Sequence, residues 1–177
     1  QSTGGTPDVT IIGSNQKTFV PMGAFANGLL AHAIDYDDWD AVAKVGHPSC
    51  QVVSSSLTTS EATGSSGQDF LRGYVVGIEI ATQIAAACPD IIKRGFHSTP
   101  IYGSMGSAAA AASVLRLKAD QVRAAFGIAA SGAGGLFRQQ GSMVKPFHAG
   151  NGARNGVEAA LLAARGFTAD QAIIENP

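Results

Sequence analysis

Apolar positions recur at helical spacing along most of the chain. Phe25, Leu29, His32 and Tyr36 fall on one stripe, with Ala26, Leu30 and Ala33 beside it. This spacing predicts a first helix starting near Pro21 and running through FANGLLAHAIDYDD. Pro is well tolerated at a first helical position, so a second helix is expected from Pro48 to about Gly64. Ser66 with Asp69 three residues on predicts the capped start of a third, whose Phe70, Tyr74, Val75, Ile78 and Ala81 keep helical rhythm until Cys88-Pro89-Asp90 closes it. From Pro100 the string GSMGSAAAAASVLRL predicts a helix dense in small residues and therefore central. Asp120 opens or caps the next, QVRAAFGIAASGAGG. Gly150–Arg165 gives one more, with Gly166 in a C-cap position. Thr168 then heads a short acidic helix, TADQAIIEN.

Strand signal is almost confined to Val9-Thr10-Ile11-Ile12, inside a polar, Gly-rich opening. Residues 1–20 therefore read as an irregular or extended lead-in. Trp39–Gly46 and Ile91–Thr99 read as loops. Six or seven helices over 21–177, without a solenoid period, predict an all-α domain. The chain starts without Met and stops just after a predicted helix, so both ends are expected to be cut and the domain partial.

Composition narrows the partners. Aromatics are 7% of the 177 residues while Gly reaches 22, so the core must rely on small side chains. Twelve basic residues against thirteen acidic ones give a net charge of −1 without a Lys/Arg cluster. That excludes an electrostatic footprint for nucleic acid or an anionic membrane. No apolar run is long enough to span a membrane and no signal-peptide pattern opens the chain. Cys50 and Cys88 make no disulfide framework and read as two buried thiols. The expectation is a cytoplasmic protein.

Four stretches carry candidate chemistry. In His32–Asp35–Tyr36–Asp37–Asp38–Trp39–Asp40, His32, Asp35 and Tyr36 would share a helix face. Acids at a helix C-terminus oppose its dipole. A solvated helix end is the plain alternative, and a divalent metal the sharper one. In Gly46-His47-Pro48-Ser49, His47 falls at the N-cap of the second helix. The dipole there keeps imidazole neutral, and free amides beside it can hold a carboxylate. Gly95-Phe96-His97-Ser98-Thr99-Pro100 repeats the device, with Thr99 as the N-cap. In GSMVKPFHAGNGAR (141–154), Lys145 sits in a loop ahead of a helix that Asn151 can cap, an arrangement suited to anions. Capping or core histidines and a surface lysine remain the bland readings. No P-loop, dinucleotide fingerprint, G-x-S-x-G or zinc pattern occurs, so the expected chemistry is proton transfer on an anionic substrate without cofactor or metal.

The strings NGLLAHAIDYDD, GHPS, GFHSTPIYGSMGSAAAAA and KPFHAGNGARNG together resemble the signature segments of the MmgE/PrpD family, in order and spacing, over nearly all of residues 21–168. That family includes 2-methylcitrate dehydratase, cis-aconitate decarboxylase and iminodisuccinate epimerase. The resemblance implies a large helical domain joined to a smaller α/β lid that is absent here, a site between them, and a homodimer formed through the helical domain. It matches His47 to the histidine of the H-P-S turn, His97 to that of the F-H turn, Lys145 to the K-P-x-H lysine and Asp35 to the first acid of the D-[FY]-D-D run.

The implied activity is a cofactor-independent lyase or isomerase on a small di- or tricarboxylate. His97 moves the proton at carbon, His47 stabilises charge or acts as partner acid, and Asp35 orients a histidine or lysine. Lys145, His47, Ser49, Thr99 and His148 are the candidate substrate-binding residues. A non-catalytic helical dimerisation scaffold and a metal-dependent hydrolase using Asp35–Asp40 stand as alternatives.

Overall fold

The helix densest in small side chains lies at the centre. In a computed structural model that describes residues 5–175, a hairpin of β1 (Val9–Thr10) and β2 (Lys17–Thr18) leads into six α-helices. These are α1 (Val20–Ala31), α2 (Ser49–Thr63), α3 (Gly67–Ala87), α4 (Ser98–Val114), α5 (Ala119–Gly132) and α6 (Val144–Ala164). Single 3-10 turns, Ile92–Arg94 and Phe137–Gln139, precede α4 and α6. α4 packs against α2, α3, α5 and α6, and α1 lies across α2 and α6. Among the described residues no helix is long and apolar enough to cross a membrane.

Close backbone approach explains the alanines and glycines. A Cβ added to Gly77 on α3 would lie 2.7 Å from the carbonyl oxygen of Gly106 on α4, and one on Gly106 would lie 2.7 Å from that of Gly77. The two backbones meet there, hemmed in by the side chains of Val52, Ala81 and Ala110, and overpacking of this kind costs about 1–3 kcal/mol. On the far side of α4, Ala111 and Ala112 pack with Ala24, Ala153, Val157 and Ala160 from α1 and α6.

α2 is buried yet polar: Ser54, Ser55, Ser56, Thr58, Thr59 and Ser60 are all inside. Most of these hydroxyls are satisfied within or beside the helix. Those of Ser54, Ser55 and Thr58 donate to the carbonyls of Cys50, Gln51 and Ser54 at 2.7–2.8 Å. Back-bonding of this sort lets a hydroxyl enter a core without a distant partner.

Local signals place most helix ends well. Ser66 and Asp69 form a reciprocal capping box at α3, Gly64 ends α2 in the left-handed conformation, and Gly166 takes a φ of 89° just past α6. Five expectations need correction. α1 stops at Ala31, with His32 as its C-cap, instead of running on to Asp38. The acids would oppose its dipole, and Asp35 takes a left-handed φ of 55°. α4 begins at Ser98, so His97, not Thr99, is its N-cap. α6 begins at Val144, because Pro146 fits a first turn and Gly150 is needed against the Phe25 carbonyl, which an added Cβ would meet at 2.5 Å. Asn151 is therefore mid-helix, bonded to Arg154. The stretch predicted as a helix from Thr168 forms only turns over 171–175. Ile173 and Ile174 stay exposed there, and so short a helix needs packing to hold. Cys50 is buried as expected, but Cys88, at the end of α3, is exposed. The first four residues of the lead-in and Asn176-Pro177 lie outside the described residues.

Candidate active site

The α1–α2 loop folds back on itself, and its four acids separate into different jobs. The Asp40 N–H donates to the Gly46 carbonyl at 2.9 Å, and its side chain accepts from the N–H groups of Val42 and Ala43. The Asp38 carboxylate caps α2, accepting from the Ser49 N–H at 3.2 Å and the Ser49 hydroxyl at 2.9 Å. Ser49 Oγ also lies 2.7 Å from the Tyr74 hydroxyl. The Ser49 amide at the start of α2, expected to be open to a ligand, therefore already holds a carboxylate. Pro48, not His47, is the N-cap.

Gly46 is required where it stands. Its φ is 93°, and an added Cβ would lie 2.4 Å from Thr99 Oγ1. This turn presses His47 against the start of α4, where its N–H donates to Thr99 Oγ1 at 3.2 Å. The His47 ring sits between Trp39 and His32, with centroids 5.0 and 4.6 Å away. Its Nδ1 lies 3.5 Å from Asp37 and its Nε2 3.5 Å from Asp35. His32 Nδ1 is 2.9 Å from both oxygens of Asp37.

Lys145 reaches this group from the first turn of α6, its Nζ donating to Asp35 at 2.5 Å. That bond holds the Asp35 carboxyl below its ordinary range. Burial pushes His47 down, against the opposing pull of Asp37. The expectation of a neutral His47 thus rests on desolvation more than on a helix dipole.

His97 occupies a different setting. Its N–H donates to the Gly135 carbonyl at 2.9 Å, the Phe137 N–H donates to Gly95 at 2.9 Å, and Phe96 bridges Leu136. The connections before α4 and after α5 are thereby joined around the ring. Nδ1 of His97 lies 3.1 Å from Nδ1 of His148 on α6. Two neutral imidazoles can bond this way only if one donates and the other accepts, so the pair holds opposite tautomers. Burial, then the neighbouring His148, pushes His97 down to about 3, and burial also lowers His148.

Both settings open on one cavity of about 510 Å³, bordered by Asp35, Asp37, Trp39, His47, His97, Ser98, Gln140 and Lys145 among others. Of the residues given site roles in the sequence, Asp35, His47, His97 and Lys145 line it. Ser49, Thr99 and His148 stand behind that lining, bonded to Asp38, His47 and His97 respectively. Because His97 caps α4 and Ser98 is its first residue, the positive end of that helix faces the cavity. Sequence reasoning missed Gln140, and named Asp37 and Trp39 only as members of the acid run, without a role of their own. Asp37 was within the acid run, but a helix continued through residue 38 favoured Asp35 instead. Asp38 and Asp40 are engaged elsewhere, so the Asp35–Asp40 run is not one ligand cluster. His32, Asp35, Asp37 and His47 do offer donor atoms all within 4.8 Å of one another.

A family model described as the MmgE/PrpD N-terminal domain matches residues 1–177. The chain is similar to cis-aconitate decarboxylase of Homo sapiens, 36% identical over 160 residues, covering 86% of this chain and 32% of that protein. The same-named protein of Mus musculus is 37% identical over the same shares. That of Aspergillus terreus is 31% identical over 174 residues, covering 94% of this chain and 35% of its own length. The chain spans about a third of the length of these curated relatives.

Proposed function

The chain belongs to the MmgE/PrpD family, and from that premise we propose that it carries one side of the active site of a cofactor-independent lyase, which decarboxylates a small tricarboxylate resembling cis-aconitate. The observation that carries this reading is one cavity bordered by an ammonium, a helix N-terminus and two imidazoles kept neutral by burial. The relatives' names supply the reaction type.

Lys145 and the start of α4 hold the carboxylates that remain on the substrate. Asp35, kept ionised, aims the ammonium. Cleavage of the bond to the departing carboxyl group releases carbon dioxide and leaves the electron pair on carbon, conjugated with the neighbouring double bond. A proton must then reach that carbon. Free His97 is neutral, but a bound polyanion raises the proton affinity of a nearby imidazole. Substrate binding therefore loads His97 with the proton it later delivers. His148 fixes the ring through the Nδ1 contact, and His47 stabilises the developing negative charge. The domain acts as part of a homodimer in the cytoplasm; sedimentation of the complete protein checks the first of these.

The test is carbon dioxide release from cis-aconitate by the complete protein, with His97→Gln beside it. General acid catalysis is worth about 10²–10⁴-fold, so kcat should fall by that much. Unchanged turnover in the variant removes His97 from the chemistry. Failure of any di- or tricarboxylate to bind removes the reading altogether and favours a scaffold.

A further inference from the structure

We propose that the acidic wall of the cavity is also a divalent transition-metal site, formed by His32, Asp35, Asp37 and His47, in which the ion takes the place of the Lys145 ammonium. One donor atom from each of the four lies within 4.8 Å of the others. His32 Nδ1 is 2.9 Å from Asp37 and 3.9 Å from Asp35, and His47 Nδ1 is 3.5 Å from Asp37. Tetrahedral zinc, with bonds of about 2.0–2.2 Å to nitrogen and oxygen, spaces its ligands roughly 3.3–3.5 Å apart. Those three spacings lie on either side of that value, and the widest pair, at no more than 4.8 Å, would have to draw in.

The chemistry of the donors agrees. Two imidazoles with two carboxylates suit Zn²⁺ and its neighbours in the first row, whereas Mg²⁺ and Ca²⁺ favour all-oxygen sets. A second observation points into the same space. His47 is nine-tenths buried, and its Nδ1, though 3.5 Å from Asp37, makes no hydrogen bond. A buried polar nitrogen without a partner is costly, and a metal–ligand bond would satisfy this ring. The place is one for a cation already: Lys145 Nζ sits on Asp35. With 16% of its side chain exposed, that lysine has a route out. Ammonium and metal then exclude one another, since both need Asp35. The binding claim stands independently of the lyase reading.

The experiment titrates the chelator-treated full chain near neutral pH with Co²⁺, read by visible absorption, and with Zn²⁺, read by calorimetry. The expected result is one equivalent of either ion, an intense tetrahedral Co²⁺ band, and displacement of Co²⁺ by Zn²⁺. His47→Gln should weaken binding by about tenfold or more, as removal of a ligand partner does. His97→Gln, across the cavity, should leave it unchanged. Lys145→Met should tighten it by about tenfold by removing the competing charge. A gain of affinity cannot come from misfolding, so that variant keeps the test decisive if the others fold poorly. Absence of a stoichiometric site, or Zn²⁺ affinity unmoved by Lys145→Met, overturns the proposal.

Discussion

His47 and His97 face the same cavity, but His47 has two carboxylates within 3.5 Å while the contact of His97 is another imidazole. Both are pushed down by burial, yet Asp37 pulls His47 back whereas His148 pushes His97 further, to about 3. Identical side chains thus acquire different proton affinities from what stands behind them. His97 is held so far down that it stays neutral throughout the near-neutral range.

The sharpest way to break this contrast is His148→Leu, which strips His97 of its partner and leaves Nδ1 buried and unpaired. By analogy with second-sphere partners of functional histidines, kcat should fall about 10–100-fold with KM little changed. Steady-state kinetics on the complete protein checks this, and loss in KM alone would contradict it.

Acid separates the two settings by pH. Unfolded histidine binds a proton near 6.5, while folded His97 resists until about 3. Between those values the unfolded state holds more protons, so stability falls as pH drops through that window and is fully present above it. Asp35, whose folded value is lowered from 3.8, contributes stability that is present above that value and is lost only as pH falls below it. Tm measured against pH should therefore decline first from about 6.5 downward, and His97→Gln should flatten that part of the curve.

A smaller effect comes from Gly46→Ala, which forces a left-handed φ and a contact with Thr99 upon a residue bearing Cβ. The cost should be about 1–2 kcal/mol in denaturant unfolding, with His47 displaced and the His97–His148 contact intact. Smallest is Lys145→Met, expected to raise the Kd for citrate-like ligands about tenfold, the loss of one charge-assisted contact.

What the sequence revealed was what short-range chemistry determines. Ser66 and Asp69 declared the start of α3 because a capping box is complete within four residues. The Ala/Gly run of α4 declared its central place because nothing else explains so many small side chains together. Family-like strings gathered Asp35, His47, His97 and Lys145, which do line one cavity. The end of α1 was hidden, because a stripe through Tyr36 continues on paper after the dipole has stopped favouring it. Tyr36 is 90% exposed. That one error left Asp37, though named in the acid run, without a role of its own. The His97–His148 contact spans 51 residues and depends on α6 starting six residues earlier than its glycines suggested, so no local pattern contains it.

The burial of α4 has a consequence for how still the cavity is. Almost every residue from Ser98 to Val114 is inside, so its amides should be among the slowest to exchange with deuterated solvent, opening only when the whole domain does. His97 caps that rod. The His97 ring is therefore mounted on the most deeply buried helix of the molecule, while Asp35 and Trp39 belong to the α1–α2 loop, whose amides should exchange sooner.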